Sequence, residues 1–184
     1  TVDRRRRAER PTERIEGLRE RADGAQFDEG RSWPITALDE NTHVLGLWHG
    51  PTSAFKDMAL QCLPRFFSAS AEALRERGEL DHDFLILVAT SGDTGKAALE
   101  GFKNAEHVRI GVLFPDGGVS DIQRKQMVTT TGDNVQVWGV RGNFDDCQTG
   151  VKNVFGDEAY AEKLLPEHHV TLSSQNSTQR ERPL

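Results

Sequence analysis

The apolar positions of this chain change period along its length, and the changes mark its elements. Residues 83–89, Asp-Phe-Leu-Ile-Leu-Val-Ala, are an almost unbroken apolar run of strand length, the pattern of a strand buried on both faces. Helical spacing follows over 94–102, strand texture returns at 108–114, a helix is expected over 120–129 and a third strand over 134–140. Helices over 144–155 and 158–165 and a last strand at 169–173 complete the series. Ser120, with Gln123 three residues on, has the spacing of a capping box. Strand and helix alternating at this interval predict an α/β fold, a parallel sheet with flanking helices joined by right-handed crossovers.

Upstream the pattern is less regular. Residues 42–48 read as a β-rich run that feeds a turn, His49-Gly-Pro-Thr-Ser-Ala-Phe-Lys-Asp57. Phe55, Met58, Ala59, Cys62, Leu63, Phe66 and Phe67 then keep helical spacing along one apolar face, with Ser53 or Thr52 as the expected cap. Pro64 has no backbone N–H, so a kink or a restart is expected there before the pattern resumes through Ala71 and Leu74 and stops near Gly78. Residues 1–30 differ from the rest. The run Arg4 to Arg7 opens a charged stretch through Glu9, Glu13, Glu16, Arg19, Glu20 and Arg21, punctuated by Ile15 and Leu18. With so little apolar surface it predicts a solvated helix or a mobile arm. The chain thus divides into a charged arm or helix (1–30), an α/β region (31–177) and a polar tail (178–184).

Bulk properties narrow the class. The chain's 184 residues suffice for one domain with a core. A net charge of −6 lacks the basic surplus of a nucleic-acid binder, and the acids interleaved with the arginines argue against a nucleic-acid or membrane role for the arm. No apolar run has bilayer length and no charged start precedes an apolar block, so a cytoplasmic protein is expected. Cys62 and Cys147 both fall in expected helices and outside any CxxC or His/Cys ligand spacing, which reads as two reduced thiols. His168-His169 has no partner at metal-ligand spacing, so no metal is expected.

Two stretches carry the candidate chemistry. Lys56 falls at the start of a helix, where the macrodipole and partial burial both disfavour an ammonium ion, so it is predisposed to act as a neutral nucleophile toward a carbonyl. The other reading of the same residue is a stem lying along apolar surface with its head in water. Thr90-Ser-Gly-Asp-Thr-Gly95 sits where a strand runs into a helix, the place where open parallel sheets gather ligands. Gly92 and Gly95 permit close backbone approach, and Thr90, Ser91 and Thr94 offer hydroxyls beside free N–H groups, a combination suited to a carboxylate or phosphate. Asp93 opposes an anion unless it caps the helix, and plain capping is the competing reading of the whole loop. A nucleotide-binding P-loop ending at Lys96 fails because Thr90 stands where its first glycine belongs and Ala97 where its magnesium-binding hydroxyl belongs.

Taken together, Leu47-Trp-His-Gly-Pro-Thr-Ser-Ala-Phe-Lys-Asp57 and Ala89-Thr-Ser-Gly-Asp-Thr-Gly95 resemble threonine synthase, a pyridoxal-phosphate enzyme of the tryptophan-synthase-β-like fold (fold type II). Leu113-Phe-Pro115, Gly118-Val-Ser-Asp-Ile-Gln123, Gly142-Asn-Phe-Asp-Asp-Cys-Gln148 and Ser173-Ser-Gln-Asn-Ser177 agree with it, so the resemblance covers residues 33–177. It implies a carbon–oxygen lyase of threonine biosynthesis that converts O-phosphohomoserine and water to threonine and phosphate. Lys56 is then the Schiff-base lysine, Thr90, Ser91, Gly92 and Thr94 face the substrate carboxylate, and Asp93 and Asn176 lie at the cofactor. Because the family's chains are much longer, the resemblance also implies a truncated chain, inactive or impaired, without the later glycine loop for the cofactor phosphate. An active lyase, the competing reading, would need a second chain, through self-association or pairing with a full-length relative, to supply the missing loop. The alternatives are a non-catalytic α/β fragment that binds a partner chain through an exposed sheet edge and, more distantly, a P-loop-like NTPase.

Overall fold

The computed structural model describes residues 11–24, 27 and 33–174. A four-stranded parallel sheet organises them, built from β3 (Asp83–Ala89), β4 (Val108–Pro115), β5 (Val135–Val140) and β6 (Val170–Ser174) in the order β5-β4-β3-β6. The central strands follow from side-chain period. Ile86 and Val88 point to one face, where they join Ala97, Ala98, Phe102, Ile110, Val112 and Met127 in the main core. Leu87 and Ala89 point to the other, where they meet Cys147 and Val151. A strand covered on both sides has no polar face, which is why its sequence does not alternate. Cys147 serves as a small buried hydrophobe, and burial raises its thiol above the usual cysteine range, away from the reactive thiolate.

Helices α4 (Asp93–Phe102) and α5 (Asp121–Val128) follow β3 and β4, while α6 (Phe144–Gly156) and α7 (Glu158–His168) connect β5 to β6. The capping box at Ser120 and Gln123 is formed, and Asn143 with Asp146 makes a second at the start of α6. α7 runs past Pro166, where the sequence pattern predicts its end. The proline removes one hydrogen bond in the last turn only, and His169 closes the helix in the left-handed region at φ 53°. Asn134 pins the connection between α4 and β4: Nδ2 donates to Phe102 O at 2.8 Å and to Val108 O at 2.9 Å, and Oδ1 accepts from Asn104 N at 2.7 Å. Asn134→Ala is expected to cost about 1 kcal/mol, because Val108 O and Asn104 N lose the side-chain amide while Phe102 O keeps the Ala105 N–H at 3.0 Å, read as a lower urea midpoint at unchanged slope.

The upstream segment departs more from expectation. The charged stretch contains α1 (Pro11–Ala22), which buries Leu18 and Ala22 and lies against α3 (Leu63–Glu76). Arg14 Nη2 donates to Ala69 O at 3.1 Å. It is therefore docked: two apolar residues at i and i+4 give it a narrow buried stripe. The arginine run and the tail lie outside the described residues. The β-rich run yields the three residues of β2 (His43–Leu45), paired antiparallel with β1 (Ile35–Ala37) in a separate hairpin. The expected helix after the lysine is broken into α2 (Asp57–Leu60) and α3, which restarts with Pro64 in its first turn, as the missing N–H requires.

Candidate functional site

The lysine loop is tied by a buried acid. Asp57, wholly buried, accepts at Oδ2 from the Thr52 backbone N–H at 2.8 Å and at Oδ1 from the Thr52 hydroxyl at 2.7 Å. Ser53, at φ 56°, turns the chain between them and donates its N–H to Gly50 O at 3.0 Å. Gly50 is required by this closure, because a Cβ there would lie 2.5 Å from the Asp57 Cβ. The expected cap by Ser53 or Thr52 is therefore not made: α2 opens at Lys56 with no side-chain cap, and the Thr52 hydroxyl is spent on Asp57.

Lys56 sits at the N-cap of a helix four residues long. One turn carries little of the macrodipole invoked from the sequence. The apolar face also fails in part, since Phe55, Ala59 and Leu63 are exposed while Leu60 and Gln61 are buried; splitting the helix after Leu60 loses the phase that would have aligned them. The half-buried Lys56 has its amine 4.9 Å from the centroid of the Phe55 ring and makes no ion pair among the described residues.

The second loop is closed from within. Thr90, buried at the end of β3, accepts at Oγ1 from Gly92 N at 2.9 Å and from Gly95 N at 2.8 Å, so its hydroxyl caps α4. Gly92 takes φ 138°, where a side chain is strained, and Gly95 leaves room for the Thr90 methyl, which a Cβ would meet at 2.4 Å. With Gly95 N satisfied and Lys96 N bonded to Gly92 O at 3.2 Å, the first-turn N–H groups of Asp93 and Thr94 have no intrahelical partner. Exposed Ser91 and half-exposed Thr94 add hydroxyls.

Asp93 is neutralised from the side. Its Oδ1 accepts from Gln123 Nε2 at 2.9 Å and pairs with Lys96 Nζ at 3.1 Å. The Gln123 hydrogen bond, aided by Lys96 and opposed by partial burial, holds the Asp93 carboxyl below the ordinary aspartate range. A lowered carboxylate contributes stability above the unfolded-state range, and this is lost as pH falls through the lowered value. Lys96 is itself buried and turned to Asp93, which removes the phosphate-binding role that a P-loop would give it. A polar groove of about 230 Å³ between α4 and α5 is lined by Lys96, Glu100, Lys103, Gln126 and Thr52, and both of its lysines are paired.

The structure thus gathers Thr90, Ser91, Gly92, Asp93 and Thr94 in one loop and sets Lys56 on a second, which α2 seats against α4. Asn176 lies outside the described residues. The sequence pattern gives no sign of the ties made by Asp57 and Gln126, and it offers Lys96 only as a failed P-loop lysine and Gln123 only as a capping-box partner, not as the two groups that meet Asp93. The available signal was Gly50, a glycine seven residues before Asp57 in a turn already holding a proline. Among the described residues no three His, Cys, Asp or Glu side chains are grouped to hold a metal, and no helix is long and apolar enough to cross a membrane.

No family profile matches the chain. It is 46% identical over 127 residues to threonine synthase of Pseudomonas aeruginosa, covering 69% of this chain and 26% of that one. It is 36% identical over 175 residues to threonine synthase-like 1 of Homo sapiens, covering 92% of this chain and 23% of that one. The crystal structure of PLP-bound threonine synthase from Brucella melitensis superposes with a TM-score of 0.77 at 40% identity, over 92% of this chain and 34% of that one. The chain is homologous to part of threonine synthase in sequence and in its parallel-sheet fold, and spans about a quarter of the length of the curated relatives it matches.

Proposed function

We propose that this chain carries the lysine and carboxylate loops of a threonine synthase-type site, in which Lys56 bonds pyridoxal phosphate and residues 90–94 receive the carboxylate of O-phosphohomoserine. The observation that carries the reading is the Lys56 amine, free of ion pairs among the described residues and set on a loop cinched by Asp57. The residues fit the group they would meet. Two first-turn N–H groups with Ser91 and Thr94 hydroxyls make a donor set for a carboxylate, and the charge of Asp93, which would oppose it, is offset by Lys96 and Gln123.

Pyridoxal phosphate, when bound, supplies an aldehyde for an amine to bond and a ring that takes up the electron pair released at the substrate α-carbon. Lys56 Nζ would hold the cofactor at its aldehyde and, when free of it, would carry protons to and from the substrate carbons. The N–H groups of Asp93 and Thr94 with the hydroxyls of Ser91 and Thr94 would hold the substrate by its carboxylate, so that the reacting carbons stay fixed while phosphate leaves and water adds. Asp93, whose Oδ1 meets Gln123 and Lys96, would hold the ring hydroxyl of the cofactor through its other oxygen.

The test is to incubate the chain with pyridoxal phosphate, reduce with borohydride and map the label. Label is expected at Lys56 and is expected to vanish in Lys56→Ala. Label spread over surface lysines, unchanged by that substitution, would refute the assignment.

A further inference from the structure

We infer that Gln123 and Gln126 of α5 are positioning residues that fix the carboxylate loop and the lysine loop relative to one another. The inference rests on the functional reading above. The two glutamines stand three residues apart, on one face of the helix. Gln123 Nε2 donates to Asp93 Oδ1 at 2.9 Å, and Gln126 Nε2 donates to Thr52 O at 3.3 Å. One rigid turn therefore reaches both loops.

Other features of α5 agree. It contributes little to the core, burying Met127 while leaving Ile122 and Val128 exposed. The Gln123 side chain packs so closely on Gly92 that a Cβ there would lie 2.4 Å from its Cδ. Turning Nε2 toward Thr52 leaves Gln126 Oε1 buried without a hydrogen-bond partner among the described groups, an arrangement with a cost that helix packing alone does not require. The same two loops are also joined through α2 and α4, where Gly101 meets Leu60.

Gln123 also completes the capping box with Ser120, whose N–H it accepts at 3.1 Å, so capping must be separated from positioning. Ser120→Ala removes half of the box and spares Asp93. Gln123→Leu removes both roles, and Gln126→Leu removes the tie to Thr52. Each is made in the full chain and studied where circular dichroism shows it folded. Two readouts need no cofactor: the carbon-13 titration of the Asp93 carboxyl, and amide exchange at Thr52 and Asp57. A third is the pyridoxal phosphate concentration that half-labels Lys56.

Gln123→Leu is expected to raise the Asp93 titration midpoint toward that of a free aspartate, and Gln126→Leu to speed exchange in the lysine loop. Each should raise the half-labelling concentration about tenfold, and the double variant by less than the product of the two, as coupled sites behave. Ser120→Ala is expected to lower the melting temperature while leaving all three readouts within about twofold, the scatter allowed for independent sites. The inference is overturned if Gln123→Leu matches Ser120→Ala in every readout, or if the double variant is multiplicative. If the parent chain takes no label at Lys56, the functional reading fails, while titration and exchange still report whether the two ties exist.

Discussion

Gly101→Ala is expected to destabilise the chain by about 3 kcal/mol or more, among the larger effects of a single added methyl. A Cβ at that position would lie 1.9 Å from the carbonyl oxygen of Leu60 and 3.0 Å from its carbon. Both are backbone atoms, so no rotamer relieves the clash, and α2 and α4 must separate. α2 is one turn long and is locked to Lys56 by the bond from Leu60 N to Lys56 O at 2.9 Å, so the lysine moves with it. At roughly 2–4 °C per kcal/mol for a chain of this size, the melting temperature should fall by about 6–12 °C. Gly150→Ala in α6, where a Cβ meets nothing within 4 Å, should instead be neutral or stabilise by up to about 1 kcal/mol, because alanine is the better helix former. Equal melting of the two variants would show that α2 does not seat on α4 in this way.

What the sequence shows and hides follows from range. The run at 83–89 is legible because burial on both faces leaves no polar position to confuse the pattern, and β3 spans the same residues. The box at Ser120 and Gln123 is legible because its partners are three residues apart. The candidate loops are legible as places, since Gly92 and Gly95 mark a turn whatever their neighbours do. Their inner bonding is not. That the Thr90 hydroxyl is consumed in capping α4, or that Gln123 reaches thirty residues back to Asp93, depends on how β3 and β4 lie side by side. The helix after Lys56 misleads for a related reason: its apolar spacing continues through a break that Pro64 announces but does not place. α1 misleads oppositely, because a two-residue stripe suffices to dock a helix that composition assigns to solvent.

Removing the acid beside the lysine should have the other large effect. Asp57→Ala leaves the Thr52 N–H and hydroxyl without acceptors in a place where Asp57 is wholly buried. Each stranded donor costs about 1–3 kcal/mol, so a loss of about 3 kcal/mol is expected, with Lys56 labelling by pyridoxal phosphate and borohydride falling at least as far as in Gln126→Leu. Asp57→Asn separates shape from charge. Its Oδ1 can accept from Thr52 N while its Nδ2 faces the Thr52 hydroxyl, which then rotates to accept, so both contacts survive as neutral hydrogen bonds worth about half the charged ones. Thr52→Val keeps the backbone N–H contact and strands one carboxylate oxygen. The expected order of melting temperature is parent, Asp57→Asn, Thr52→Val, Asp57→Ala, and Lys56 labelling should follow the same order. Gly50→Ala should fall with the last, since its Cβ would occupy the space of the Asp57 side chain at 2.5 Å. Labelling that survives in Asp57→Ala while the fold is weakened would mean that the cinch holds the domain together without aiming the amine, and the geometry proposed for Lys56 would lose its support.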